Sequence, residues 1–191
     1  MISIILPSLG RPSLLEALDS IELWPGDEIL VVGELAQLNP YIRPSDVERG
    51  VRFLHCPRGH DWGSTERNAA MPLARGTHLA FLDDDDRQVP GARAAMADAV
   101  TRTPDRPVVF RMRYPDGRVL WREPAVIFGN VGTPMFFIPN VPQKLGIWGG
   151  FIGGDCAFLE SVGWLRSDII WRQDVIAEVG DDLPAHVREA S

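Results

Sequence analysis

Cysteine, positive charge and long apolar runs are all scarce in this 191-residue chain. Cys56 and Cys156 are the two cysteines and lie far apart. They do not make the dense disulfide framework of a small secreted domain, so two reduced thiols in a cytoplasmic protein are expected. Neither belongs to a C-x-x-C pair, which removes the usual cysteine-based metal motif. His55, His60, His78 and His186 also lack metal-ligand spacing, although His186 is placed to approach a metal from the C-terminal side. No apolar stretch reaches the ~20 residues of a membrane-spanning helix, and no charged segment precedes the first apolar run. Neither a membrane span nor a secretory leader is therefore expected. The formal charge of −7 offers no attraction to polyanions, so nucleic acid is an expected partner only if a local basic patch supplies one. Internal repeats and low-complexity tracts are missing as well.

What is present is the composition of a folded, water-soluble domain, 45% hydrophobic and 24% charged. Residues 2–6 form a short continuous apolar run, the pattern of a strand buried on both faces. Pro7 to Pro12 breaks it, and Ser13 can cap a helix over residues 14–23. Strands are expected at 28–33, 51–54 and 77–82. Residues 34–50, with Asn39-Pro40 and Arg43-Pro44, read as loop with one helical turn. A helix opens at Gly63-Ser64 and runs to Ala74, stopped by Gly76 and kinked or shortened by Pro72. Another starts at Pro90 and runs to about Arg102. This alternation predicts an α/β fold, a mostly parallel sheet flanked by helices.

The second half has a different character. Residues 108–114 and 118–121 flank Pro115-Asp116-Gly117 and predict a hairpin. Residues 126–154 are apolar and rich in glycine and proline, which suits a shaped loop over a cleft. Helices are expected over 156–161 and 169–179. One domain with two unequal halves follows, residues 1–104 and 105–191, the second a small hairpin- and loop-rich subdomain.

Four consecutive aspartates, Asp83 to Asp86, stand where the fourth strand stops. Adjacent carboxylates repel, and a like-charge pair about 4 Å apart costs up to ~4 kcal/mol at an effective dielectric near 20. The cluster is read as a grip for a divalent cation and an anion bridged to it, against the plainer reading of a solvated acidic turn. In an open parallel sheet ligands bind beyond the carboxyl ends of the strands. Pro7 and Ser8 after strand one, Gly33 and Glu34 after strand two, and the aspartates after strand four fall on that edge. Arg67 and Asn68 lie on the helix before strand four, where an ordinary solvent-facing surface is the competing reading.

Two blocks carry a resemblance: Ile4-Ile-Leu-Pro-Ser8, and Glu66-Arg-Asn-Ala-Ala-Met-Pro-Leu-Ala-Arg-Gly-Thr-His-Leu-Ala-Phe-Leu-Asp-Asp-Asp-Asp86. Together they resemble the family 2 glycosyltransferases with the GT-A (Rossmann-like) fold, over about residues 1–100. The resemblance implies transfer of a sugar from a nucleotide diphosphate sugar to a hydroxyl acceptor, metal-dependent and inverting. Residues 1–104 would be the nucleotide-sugar half and 105–191 the acceptor-binding and catalytic half. Pro7 and Ser8 would line the base and ribose pocket, and Arg67 would lie near the base or phosphates. Asp83 and Asp84 would contact the ribose or pyrophosphate side. Asp85, with Asp83 beside it, would hold Mn²⁺ or Mg²⁺ in the aspartate-rich motif. The chain departs from the family after strand two, where Gly33-Glu34-Leu35-Ala36 replaces an acidic Asp-Asp-Gly-Ser step. Under the resemblance, Glu34 would substitute for the base-contacting aspartate.

An inverting transfer needs a carboxylate to take the acceptor proton. Asp155, after Gly153-Gly154 and at a helix start, resembles the family's base position, with a plain helix cap as the alternative. Asp174 is the second candidate. Trp148 and Trp171 are read either as platforms for sugar rings or as packing. The loop His60-Asp61-Trp62-Gly63 is placed to close over a diphosphate. Two other functions remain: a catalytically degenerate module that binds nucleotide or cation, and a sugar nucleotidyltransferase, which Pro7 to Pro12 matches poorly.

Overall fold

The computed structural model describes residues 1–180; His186 lies outside them. In chain order the elements are β1 (Ile2–Pro7), α1 (Ser13–Ser20), β2 (Glu28–Gly33), α2 (Leu35–Leu38), α3 (Pro44–Glu48), β3 (Val51–His55) and α4 (Ser64–Ala70). They continue as β4 (His78–Phe81), β5 (Arg87–Gln88), α5 (Ala92–Arg102), β6 (Val108–Arg113), β7 (Val119–Leu120), β8 (Phe136–Pro139), α6 (Gly154–Ser161) and β9 (Ile170–Glu178). Among the described residues the strands make one sheet in the order β3-β2-β1-β4-β8-β6-β9-β5, with β7 paired to β6.

The expected parallel core is present. β3, β2, β1 and β4 run parallel, in registers that pair Ile4 with Ile29 and Ile5 with Phe81. β1 and β2 are buried along their whole length, as their unbroken apolar pattern requires. Ile4, Ile5, Leu6, Leu30 and Leu79 are fully buried, each contributing about 1.5–3 kcal/mol through removal of apolar surface from water.

Several local expectations are corrected. The helix expected over 169–179 is instead β9, parallel to β6, with Val108 opposite Ile170 and Arg111 opposite Val175. Its β-branched and aromatic residues fit a pleated surface, and the pairing with β6 satisfies the backbone. Residues 126–154 hold a central strand, β8, between β4 and β6 and antiparallel to both. Its Phe136-Phe137-Ile138-Pro139 run is wholly buried. Residues 34–50 are more helical than expected, carrying α2, α3 and a 3₁₀ turn at Asn39–Tyr41. Pro44 opens α3 because its fixed φ suits the first turn. Ser13 is the first residue of α1 rather than its cap; Pro12 holds the cap position at φ −56°. As anticipated from Pro72, α4 stops at Ala70 and tightens into a 3₁₀ turn over Met71–Leu73.

β8 and β9 make the sheet continuous across both halves of the chain. The parallel strands β1, β2 and β4 deliver their carboxyl ends to a single edge. Loops from the second half stand above that edge and enclose a cavity of about 550 Å³.

Candidate active site

The aspartate run is a tight turn, closed by a hydrogen bond from the Asp86 amide to the Asp83 carbonyl. The turn sends the four side chains to different tasks. Asp84 is buried and points back to β1, accepting from the Ser8 hydroxyl at 2.7 Å and the Leu9 amide at 3.0 Å, with Arg11 as ion-pair partner. Asp83 pairs with Arg67 on α4. Asp85 faces the cavity and meets Arg11 at 3.2 Å. Asp86 is buried and accepts from the Gly180 amide at 3.0 Å. The plain reading of a solvated acidic turn does not describe this arrangement.

Burial pushes the Asp83 carboxyl above its ordinary value, opposed by Arg67 and reinforced by Asp155 and Asp84. Burial also raises Asp85, with Arg11 working against it and Asp83 and Asp84 adding to it. Asp86 is raised well above the usual carboxylate range by burial and by Asp83. The carboxyls of the floor are thus held above their ordinary values by burial and by one another, and a cation placed there would favour their ionised forms. Among the described residues no three His, Cys, Asp or Glu side chains gather as a ready-made metal cage. A hard cation that takes one or two carboxylates and fills its shell with phosphate and water needs no such cage. Asp85, with Asp83 adjacent, fits such an ion.

Arg67 is 3% exposed and organises the wall. Its guanidinium lies 4.7 Å over the Trp148 ring, and Nη1 donates to the Trp62 carbonyl at 2.7 Å. Trp148 is buried, stacked on Phe158 at 4.1 Å between centroids and 8° between planes. It is therefore a packed wall of the cavity. Asn68 spends both ends of its amide on the Trp148 backbone, at 2.9 Å each, and borders a separate cavity of about 470 Å³. The loop before α4 is pinned by Asp61, which accepts from the Thr65 amide and hydroxyl. Gly63, at φ 79°, has no room for a side chain, since a Cβ would stand 2.9 Å from Pro7.

Asp155 is half-buried on the cavity wall and accepts from the Thr133 hydroxyl at 2.7 Å through Oδ1. It is the second residue of α6 and caps nothing; Gly153, at φ 91°, takes the cap position. Burial raises the Asp155 carboxyl, with the Thr133 hydrogen bond and Arg67 partly offsetting that. Asp174 stands elsewhere, exposed on β9 and paired with Arg172 at 2.8 Å. Trp171 packs edge-on against Trp121 at 5.3 Å and does not border the cavity. Glu34 is half-buried, bonded to the Gln37 amide group at 3.2 Å, and also lies outside the cavity wall. β1 ends at Pro7, with Ser8 next, at the same edge as the aspartates; both are buried and neither borders the cavity. Arg11, Thr133 and Asp86 belong to the site although sequence reading did not single out a role for them. Arg11 was legible in principle as the one cation in the break after β1.

No helix among the described residues is long and apolar enough to cross a membrane. No curated protein matches the sequence closely enough to count as a relative. Solved structures do match. TarS from S. aureus superposes with a TM-score of 0.72 at 15% identity, covering 94% of this chain and 36% of that one. TarS 1-349 in complex with UDP-GlcNAc gives 0.69 at 15% identity, covering 100% and 61%. The mannosyltransferase PcManGT from Pyrobaculum calidifontis, in complex with GDP-Man and Mn²⁺, gives 0.67 at 14% identity, covering 99% and 59%. Likenesses at these identities speak for the fold, a GT-A-type α/β sheet, and the chain spans less than two thirds of each of those chains. The model of the glycosyl transferase family 2 matches residues 3–162, most of the chain, and the protein belongs to that family.

Proposed function

We propose that this protein transfers a sugar from a nucleotide diphosphate sugar to a hydroxyl acceptor, with inversion, in the cavity floored by the aspartate turn. The observation that carries the reading is the placement of two carboxylate groups with different surroundings on one cavity. Asp85, beside Asp83, lies on the floor among like charges, and Asp155 stands on the wall with a single hydroxyl donor. The family match over residues 3–162 supports the reaction class.

In this reading the donor's nucleoside lies along Pro7 and Ser8, and its diphosphate lies toward Arg67 and Asp85. Mn²⁺ or Mg²⁺ held by Asp85, with Asp83 beside it, would offset the charge of the leaving diphosphate. Arg67 keeps Asp83 in place and adds positive charge at the floor. With Oδ1 of Asp155 engaged by Thr133, Oδ2 is left for the acceptor hydroxyl. The acceptor oxygen bonds to the anomeric carbon as that carbon's bond to the diphosphate breaks. The bonding pair departs with the diphosphate, and the acceptor proton passes to Asp155. A carboxyl raised by burial is the stronger base once ionised, which suits this role.

A panel of nucleotide diphosphate sugars screened by thermal shift, with and without Mn²⁺, tests the reading. A manganese-dependent rise in melting temperature for one nucleotide class is expected. No stabilisation by any donor, with or without manganese, would argue against it.

A further inference from the structure

Four large apolar side chains stand exposed around the mouth of the same cavity: Trp62 at 60%, Phe128 at 72%, Phe151 at 56% and Ile152 at 63%. They come from three separate loops that touch one another. A Cβ on Gly150 would lie 2.6 Å from Asp61 Cβ, and one on Gly153 would lie 3.3 Å from the Phe128 ring. The Ser64 hydroxyl donates to the Gly149 carbonyl at 3.1 Å, tying the α4 end to the loop that carries Phe151. Scattered exposed apolar residues need no explanation, but a contiguous rim on a cavity marks a binding surface.

Trp62 is held out at a conformational cost. Its φ is 55° and that of His60 is 53°, a left-handed region that bulky residues seldom adopt. Such backbone persists where the surroundings over-determine it. Here the Trp62 carbonyl is gripped by Arg67 and the preceding Asp61 is fixed by Thr65. The strained loop presents the indole to the cavity instead of the core.

We propose that this rim is the acceptor subsite, and that the acceptor is a hydroxyl carried on a ring with an apolar face. The inference rests on the glycosyl-transfer reading above and names its second substrate. Asp155 follows Phe151 and Ile152 in the same loop-to-helix segment, so a hydroxyl reaching Oδ2 brings its parent ring against them. Aromatic faces at the rim suit a flat ring, and Arg118 and Arg122 on the same cavity supply donors for hydroxyls at the ring's edge. The sugar ring itself and an aryl group attached to it share this chemistry.

Saturation-transfer NMR on the full chain, with methyl and phenyl β-glycosides and a decyl phosphate as three separate probes, tests the proposal. The glycosides should take saturation at ring protons, the methyl glycoside if the sugar face is bound and the phenyl protons if the aryl face is bound. Trp62→Ala and Phe151→Ala should each weaken glycoside binding about 10-fold, through loss of the aromatic face beneath the ring. Phe151→Ala should bind uridine or guanosine diphosphate with manganese as the parent protein does. Absence of glycoside binding to the parent protein, unchanged binding in both variants, or tighter binding of decyl phosphate would overturn the proposal. Loss of nucleoside diphosphate binding in Phe151→Ala would also overturn it, by assigning the rim to the donor. If the parent protein binds glycosides at the rim but no nucleoside diphosphate, the donor reading fails and the rim stands.

Discussion

The Ser8 hydroxyl donates to Asp84 at 2.7 Å and so joins the end of β1 to the end of β4 beneath the cavity floor. One oxygen of Asp84 also receives the Leu9 amide, and the other is paired with Arg11. Asp84 thus shapes the break after β1, leaving Asp83 and Asp85 to face the cavity. Ser8→Ala would leave the buried Asp84 carboxylate short of a donor, at a cost of about 1–3 kcal/mol. The expected outcome is a lower melting temperature together with weaker nucleoside diphosphate binding. Calorimetric melting and titration on the same variant would check it; unchanged binding would separate Ser8 from the donor pocket.

Asp85→Asn should remove metal dependence together with turnover. The variant keeps the volume of the side chain and removes a carboxylate that lies among like charges, so folding should be preserved or slightly improved. Manganese titration followed by paramagnetic relaxation of water would show lost or greatly weakened binding. Parent-like manganese affinity would move the cation elsewhere.

Asp155→Asn should leave donor binding intact and reduce turnover by about 10²-fold or more, the range for loss of a positioned base. The pH profile carries the sharper test. A base must be ionised, and burial raises Asp155, so kcat should fall on the acid side with its midpoint above the ordinary aspartate value of about 3.9. Thr133 donates to the ionised form and lowers its pKa. Thr133→Val should therefore move that acid limb to higher pH. A shift the other way, or none, would place the base outside this pair.

Far from the cavity, Asp27 and Arg93 form a buried ion pair at 2.5 Å, and Asp27 also accepts from the Ile2 amide at 2.8 Å and the Trp24 amide at 2.9 Å. Burial works to raise the Asp27 carboxyl, but the bonds from Arg93, Trp24 and Ile2 outweigh it and its net shift is downward. A depressed folded value means stability that is present above the unfolded pKa and is lost as pH falls through the folded one. Asp27→Ala strands the Arg93 charge and should cost about 3–5 kcal/mol. Urea melts at neutral and acid pH should show the gap between parent and variant closing as pH falls.

The parallel half of the fold was legible because β1 and β2 are buried on both faces and advertise it as unbroken apolar runs. The aspartate run stood out for a related reason, since four adjacent carboxylates at the end of such a run repel one another. β9 was harder to read. Its exposed Gln173 and Asp174 interrupt the alternation, and its partner β6 is remote in sequence, so only the tertiary pairing reveals a strand. β8 hid within a glycine- and proline-rich stretch, although Phe136-Phe137-Ile138 bounded by two prolines was a usable strand signal. Arg67 was singled out from its motif, but its position over Trp148 joins residues eighty-one apart in the numbering and follows only from packing. Asn68 was expected at the substrate, and both ends of its amide bind the Trp148 backbone instead.

The most direct test is the release of nucleoside diphosphate from a donor panel with manganese, measured with and without chelator, in the parent protein and in Asp85→Asn. Manganese-dependent release by the parent protein, abolished by chelator and by Asp85→Asn, is the expected result. Release that persists in chelator and in the variant, or liberation of pyrophosphate in its place, would contradict it.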